Sequence, residues 1–86
     1  MRLQYTERLR RAYSTLDDAE VEPVDKALRL LASNLRHPSL HVKKMQGVQD
    51  IWEARASRTL RVTFELQGDI LLLRNVGSHD AALKGP

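Results

Sequence analysis

The sequence has no cysteine. Disulfides and cysteine-based zinc sites are therefore excluded, and neither can reinforce a small core. Glycine and proline number only four and three, and they nowhere gather into a linker, a repeat or a low-complexity run. No apolar stretch is long enough to span a bilayer. The first residues, MRLQYTERLRRAY, alternate apolar and charged side chains and lack the apolar block of a signal peptide. A cytoplasmic location and no membrane partner are expected.

What remains is ordinary for a soluble globular protein, with 42% hydrophobic and 29% charged residues. A chain of 86 residues predicts a single domain over 1–86 with one core, marginally stable unless the core is efficient or a partner adds to it. Net charge is +3, but its distribution is uneven. Residues 1–35 balance. Residues 36–61 carry Arg36, Lys43, Lys44, Arg55, Arg58 and Arg61 against Asp50 and Glu53, a net of +4. An anionic partner would be drawn to that middle segment.

Periodicity divides the chain. Arg2 to Thr6 alternates like a first strand. Thr6 can cap a helix with Leu9, Ala12, Tyr13 and Leu16 on one face. Asp17 to Glu22 reads as an acidic connection, with Pro23 in the first turn of a second helix. Val24, Ala27, Leu28, Leu31 and Leu35 share a face of that helix, which His37-Pro38 ends. A two-residue period follows. Leu40 to Met45 leads to a turn at Gly47, Ile51 to Ala56 is a strand, and Leu60 to Leu66 is another. Gln67-Gly68-Asp69 makes a hairpin turn. Ile70 to Val76 is a last strand, apolar on both faces and so central or covered.

Helices followed by strands joined by short turns predict an α+β fold. Two N-terminal helices pack on one face of a small, mainly antiparallel sheet of four to five strands, leaving the other face open. Trp52, Ala54 and Ala56 point to the helices, as do Leu60, Val62, Phe64 and Leu66. Trp52 is expected in the core rather than as a base-stacking platform. Glu53, Arg55 and Arg61 then converge on the outer face, and His79 reaches them from the end of the last strand.

Those residue types suit RNA cleavage. Arginines bind phosphate oxygens bidentately. A histidine exchanges protons near neutral pH, and a carboxylate accepts one. A base takes the 2′-hydroxyl proton, the oxygen attacks the adjacent phosphate, and an acid protonates the leaving 5′-oxygen. The scheme calls for no cofactor and no metal. His37, His41 and Asp80 make a poor metal set, because Pro38 breaks the helix that would align the histidines. The plainer alternatives are surface ion pairs such as Glu53–Arg55 or Arg61–Glu65, contributing roughly 0–1 kcal/mol each. His79 can equally cap a turn, and Asp80 can cap a final helical turn at Ala81 to Leu83.

The stretch HPSLHVKKMQGVQDIWEARASRTLRVTFELQGDILLLRNVGSHDAAL resembles the RelE/ParE superfamily of bacterial toxin–antitoxin toxins. The likeness lies in a lysine pair before a glycine, an aromatic-plus-charged strand, LRV, a G-D hairpin and VGSHD. RelE-like members cut mRNA in the ribosomal A site and are silenced by an antitoxin. ParE-like members inhibit DNA gyrase and lack the nuclease residues. The resemblance implies an endoribonuclease, or mRNA interferase, with Glu53, Arg55, Arg61 and His79 as catalytic residues. Lys43, Lys44 and Arg58 are the expected RNA contacts. A cognate antitoxin, the ribosome and mRNA are the implied partners. Arg55 and Arg61 stabilise charge, while Glu53 and His79 serve as base and acid in either order. Leu83 stands where many nuclease members carry a C-terminal aromatic. That departure points to the alternatives, a ParE-like gyrase inhibitor or an inactive nucleic-acid- or partner-binding relative.

Overall fold

The computed structural model describes residues 1–47 and 50–86, apart from the Leu83 side chain. Strand β1 (Arg2–Tyr5) leads into helix α1 (Glu7–Ser14), whose start is fixed by Thr6 Oγ1 accepting from the Leu9 amide. Helix α2 spans Asp18–Ser33. The expected acidic connection is in fact the beginning of this helix. Asp17 and Glu20 form a reciprocal capping box: the Glu20 amide donates to Asp17 Oδ1 at 2.8 Å, and the Asp17 amide donates to Glu20 Oε1 at 3.0 Å. Pro23 consequently lies inside the helix rather than in its first turn. The helix also stops short of His37-Pro38, at an Asn34 cap, and Pro38–Leu40 forms a separate 3-10 turn.

Among the described residues the sheet has five strands in the order β1-β5-β4-β3-β2. Besides β1 these are β2 (Lys43–Lys44), β3 (Trp52–Arg55), β4 (Leu60–Gln67) and β5 (Ile70–Ser78). All neighbouring pairs are antiparallel except β1 with β5, which is parallel. The expected strand from Leu40 to Met45 shrinks to two residues. His41 takes a left-handed φ of 45° and Leu40 turns into the core, so pairing starts only at Lys43.

Leu9, Val24, Ala27 and Leu31 from the helices meet Ala54, Val62, Phe64, Leu71 and Leu73 from the sheet in one core. Trp52 packs against that core but stays partly exposed. Leu66, expected inside, is 38% exposed. Its alternation is right, but it lies near the hairpin at the end of β4, past the reach of the helices.

A β-bulge resets the alternation of β5. Thr63 pairs with Asn75 but Phe64 pairs with Leu73, so Arg74 is an extra residue. Inward positions shift from Leu71 and Leu73 to Val76 across the bulge. The outer face of β5 is not left open. Ser78 accepts from the Ala81 amide and caps a short helix, α3 (His79–Lys84). This helix folds back so that a Cβ on Gly77 would sit 3.6 Å from Ala81 Cβ. Asn75 Nδ2 holds the Gly85 carbonyl at 2.7 Å, and Arg74 Nε holds the Pro86 oxygen at 3.1 Å. What stays open on this face is the region over β3 and the adjoining end of β4.

Candidate functional site

Strand alternation brings the charged residues of β3 and β4 to that open region. Glu53 pairs with Lys43 on one side and Thr63 on the other, and Arg55 pairs directly with Arg61. His41, Lys43, Glu53, Arg55 and Arg61 line one cavity of about 280 Å³. Glu53 is buried, although it was expected on an exposed patch. Its strand is interior to the sheet, and Lys43 lies beside it with Nζ 3.5 Å from Oε1.

The Arg55–Arg61 pair sets two like charges opposite each other, an arrangement that costs a sheet stability. Neither arginine has a carboxylate ion-pair partner among the described residues. Instead Arg61 is braced by the β3–β4 turn. Its Nη1 donates to the carbonyls of Ser57 at 2.8 Å, Leu60 at 3.0 Å and Arg58 at 3.3 Å. One nitrogen thus holds the guanidinium at the cavity wall.

His79 lies in the adjacent depression. Arg58, Thr59, Arg61, Ser78, His79 and Asp80 line about 440 Å³ there, so Arg61 belongs to both cavities. The His79 amide donates to the Thr59 carbonyl at 3.0 Å, tying α3 to the turn before β4. Its ring is about half exposed, with Nδ1 3.7 Å from Asp80 Oδ1. The structure therefore brings Glu53, Arg55 and Arg61 together, adds Lys43, and sets His79 with Arg58 one cavity away. Lys44 pairs with Trp52 and turns to the opposite face, away from Glu53. Among the described residues, no group of three or more histidine, cysteine or acidic side chains could hold a metal. No described helix is long and apolar enough to cross a membrane.

His41 and Asp80 were not foreseen here. His41 stands two positions before Lys43, so extending the strand alternation by one step would have placed it with Lys43 and Glu53. The sequence offers Asp80 as a helix cap or as part of a poor metal set with His37 and His41, and Ser78 caps the helix instead.

No family model and no curated protein matches the chain. Solved structures do. The fold is that of RelE-like toxins. The chain is similar to YafQ from E. coli, with a TM-score of 0.81 at 15% identity over 95% of this chain and 98% of that one. It is similar to the E. coli RelBE toxin–antitoxin complex, with a TM-score of 0.70 at 19% identity over 90% and 94%. An archaeal RelE–RelB complex from Pyrococcus horikoshii gives 0.72 at 16% identity over 90% and 92%.

Proposed function

We propose that this protein is the toxin of a toxin–antitoxin module and an endoribonuclease that cuts mRNA on the ribosome. The observation that carries the reading is the Arg55–Arg61 pair beside buried Glu53. Arg55 and Arg61 are direct register partners that line one cavity and lack a carboxylate ion pair among the described residues, and a phosphodiester is an anion that such a pair of arginines can hold. The fold supports the same reading, since similar structures are toxins seen in complex with antitoxins. So does the net +4 of residues 36–61, which suits an RNA-rich target.

The placement supports the following chemistry. The Glu53 carboxylate accepts the proton of the ribose 2′-hydroxyl. The freed oxygen attacks phosphorus, and the bond from phosphorus to the 5′-oxygen breaks, leaving a 2′,3′-cyclic phosphate. His79 delivers a proton to the departing 5′-oxygen. Arg55 and Arg61 hold the non-bridging oxygens as charge builds on them. Lys43 and Arg58 contact the RNA backbone beside the two cavities, and Lys44, on the opposite face, meets it only where the strand passes the β2 edge. A cognate antitoxin would silence the toxin in the cell.

The test is induced expression with mapping of RNA ends. Growth arrest with new cyclic-phosphate ends in translated mRNA, abolished by Arg61→Ala and relieved by an adjacent antitoxin gene, is the expected result. Arrest in which DNA synthesis stops before protein synthesis would overturn it. That outcome would favour a ParE-like gyrase inhibitor, a reading helped by the separation of Glu53 and His79 into different cavities.

A further inference from the structure

Trp52 is the only tryptophan of the chain. One side of it packs on the core, and it also lines a groove of about 580 Å³ on the opposite side of β3 from Glu53. Leu35, Val42 and Leu66 make the groove apolar, while Arg36, His37 and His41 rim it. No acidic side chain is among the described residues that line it. Leu66 is one of the few large hydrophobic residues left exposed among the described residues.

His41 lines both this groove and the cavity of Glu53, Arg55 and Arg61. Its left-handed φ of 45° sets it at the corner where the 3-10 turn gives way to β2. Strand β2 is the edge of the sheet and is only two residues long. A flexible strand with a phosphate between the two arginines therefore has a short way round the edge, past His41, to the Trp52 side.

We propose that the Trp52 groove is a base-binding subsite, in which a nucleobase of single-stranded RNA stacks on Trp52 while the backbone turns over the β2 edge at His41. The inference rests on the reading of the Glu53 cavity as an RNA site. An aromatic face with apolar walls and a cationic rim matches a base and its phosphates. Stacking of this kind is tolerant of sequence, so the groove adds affinity and register rather than a strict code. The aliphatic side chain of a protein partner would also fit the walls, but it would draw nothing from the rim of Arg36, His37 and His41.

Because Trp52 is unique, its emission reports on the groove directly. The probe is a 2′-O-methyl hexaribonucleotide, which binds but cannot be cut. Saturable quenching of Trp52 emission is expected, weakening as salt rises. Leu66→Ser, at an exposed position, should keep the circular dichroism spectrum and weaken binding at least about fivefold, the low end for one stacked base. His41→Ala should weaken it as well. Binding without quenching overturns the proposal, and so does no binding at all. Unchanged RNA affinity in Leu66→Ser together with weakened antitoxin capture would assign the groove to the protein partner instead. Cleavage of an unmodified RNA is scored separately. Cleavage without quenching removes the groove alone, while quenching without cleavage keeps the groove and removes the nuclease.

Discussion

Lys43 Nζ stands 3.5 Å from Glu53 Oε1, yet the lysine side chain is 68% exposed and the glutamate side chain 4%. The desolvated member of the pair is the carboxylate, and burying a charge is costly unless it is paired. Glu53→Gln keeps the shape and removes the charge. It should leave stability unchanged or slightly higher and reduce RNA cleavage about 100-fold or more. Lys43→Met should cost about 1 kcal/mol, well under the loss for a fully enclosed pair, because the lysine end is solvated. Urea melts of both single variants and the double variant give the coupling. A Glu53→Gln variant that unfolds would make the carboxylate structural.

The opposed arginines make a converse prediction. Arg55→Gln relieves the repulsion with Arg61 and should raise stability by up to about 1 kcal/mol while weakening RNA binding. Inorganic phosphate should raise the melting temperature of the wild type more than that of the variant, since only the native protein offers the paired site. Equal shifts in both proteins would show that no anion sits between the two.

Phe64 and Leu66 lie two residues apart on the same face of β4 and differ in what they bury. Phe64 is fully enclosed while Leu66 is 38% exposed. Phe64→Ala should cost about 3–5 kcal/mol, close to the whole stability of a small domain. Leu66→Ala should stay within about 0.5 kcal/mol, as surface changes do. Chemical denaturation of the two variants side by side decides whether the core ends where the structure places it.

The same two residues show where the sequence was legible and where it was not. Alternation from Leu60 to Leu66 correctly set the faces of β4, because a period of two is a property of the strand itself. It carried no information on how far the helices extend over that strand, which is a tertiary fact. Asp17 was misread for a related reason: an acidic run looks like a loop unless the Asp17–Glu20 spacing is recognised as a capping box. The bulge at Arg74 was hidden because the strand opens with four consecutive apolar residues, Ile70 to Leu73, which show no period of two. The convergence of Glu53, Arg55 and Arg61 followed from alternation alone. The separate placement of His79 did not, since it depends on α3 folding back over Gly77 and on the His79 amide reaching Thr59.

Alkaline pH offers a check on the helix pair. Tyr13 donates its hydroxyl to Asp25 Oδ1 at 2.7 Å, and that bond holds the phenol above its usual pKa of 10.0. The folded state thus favours the protonated phenol. Its contribution is fully present below the unfolded pKa and is lost as pH rises through the higher folded one. Tyr13→Phe should flatten the alkaline limb of the stability profile and leave its shape between pH 6 and 8 unaltered. An unchanged alkaline limb would mean that the Tyr13–Asp25 bond does not persist in solution.

His79 is the residue whose role the geometry separates most cleanly from folding. Its ring is 47% exposed, while its backbone amide carries the bond to Thr59. Replacement of the side chain leaves that bond and the Ser78 cap in place. His79→Ala should therefore fold normally and lose RNA cleavage by a factor of about 100 or more, the usual share of a general acid. His79→Gln tells proton transfer from phosphate binding, since glutamine donates a hydrogen bond but exchanges no proton near neutral pH. Both variants should be equally inactive, and the pH–rate profile should lose one limb. Activity retained in the glutamine variant alone would make His79 a phosphate ligand. Full activity in both, with Arg61→Ala inactive, would leave His79 as a helix-start residue, and the leaving oxygen would take its proton from another group.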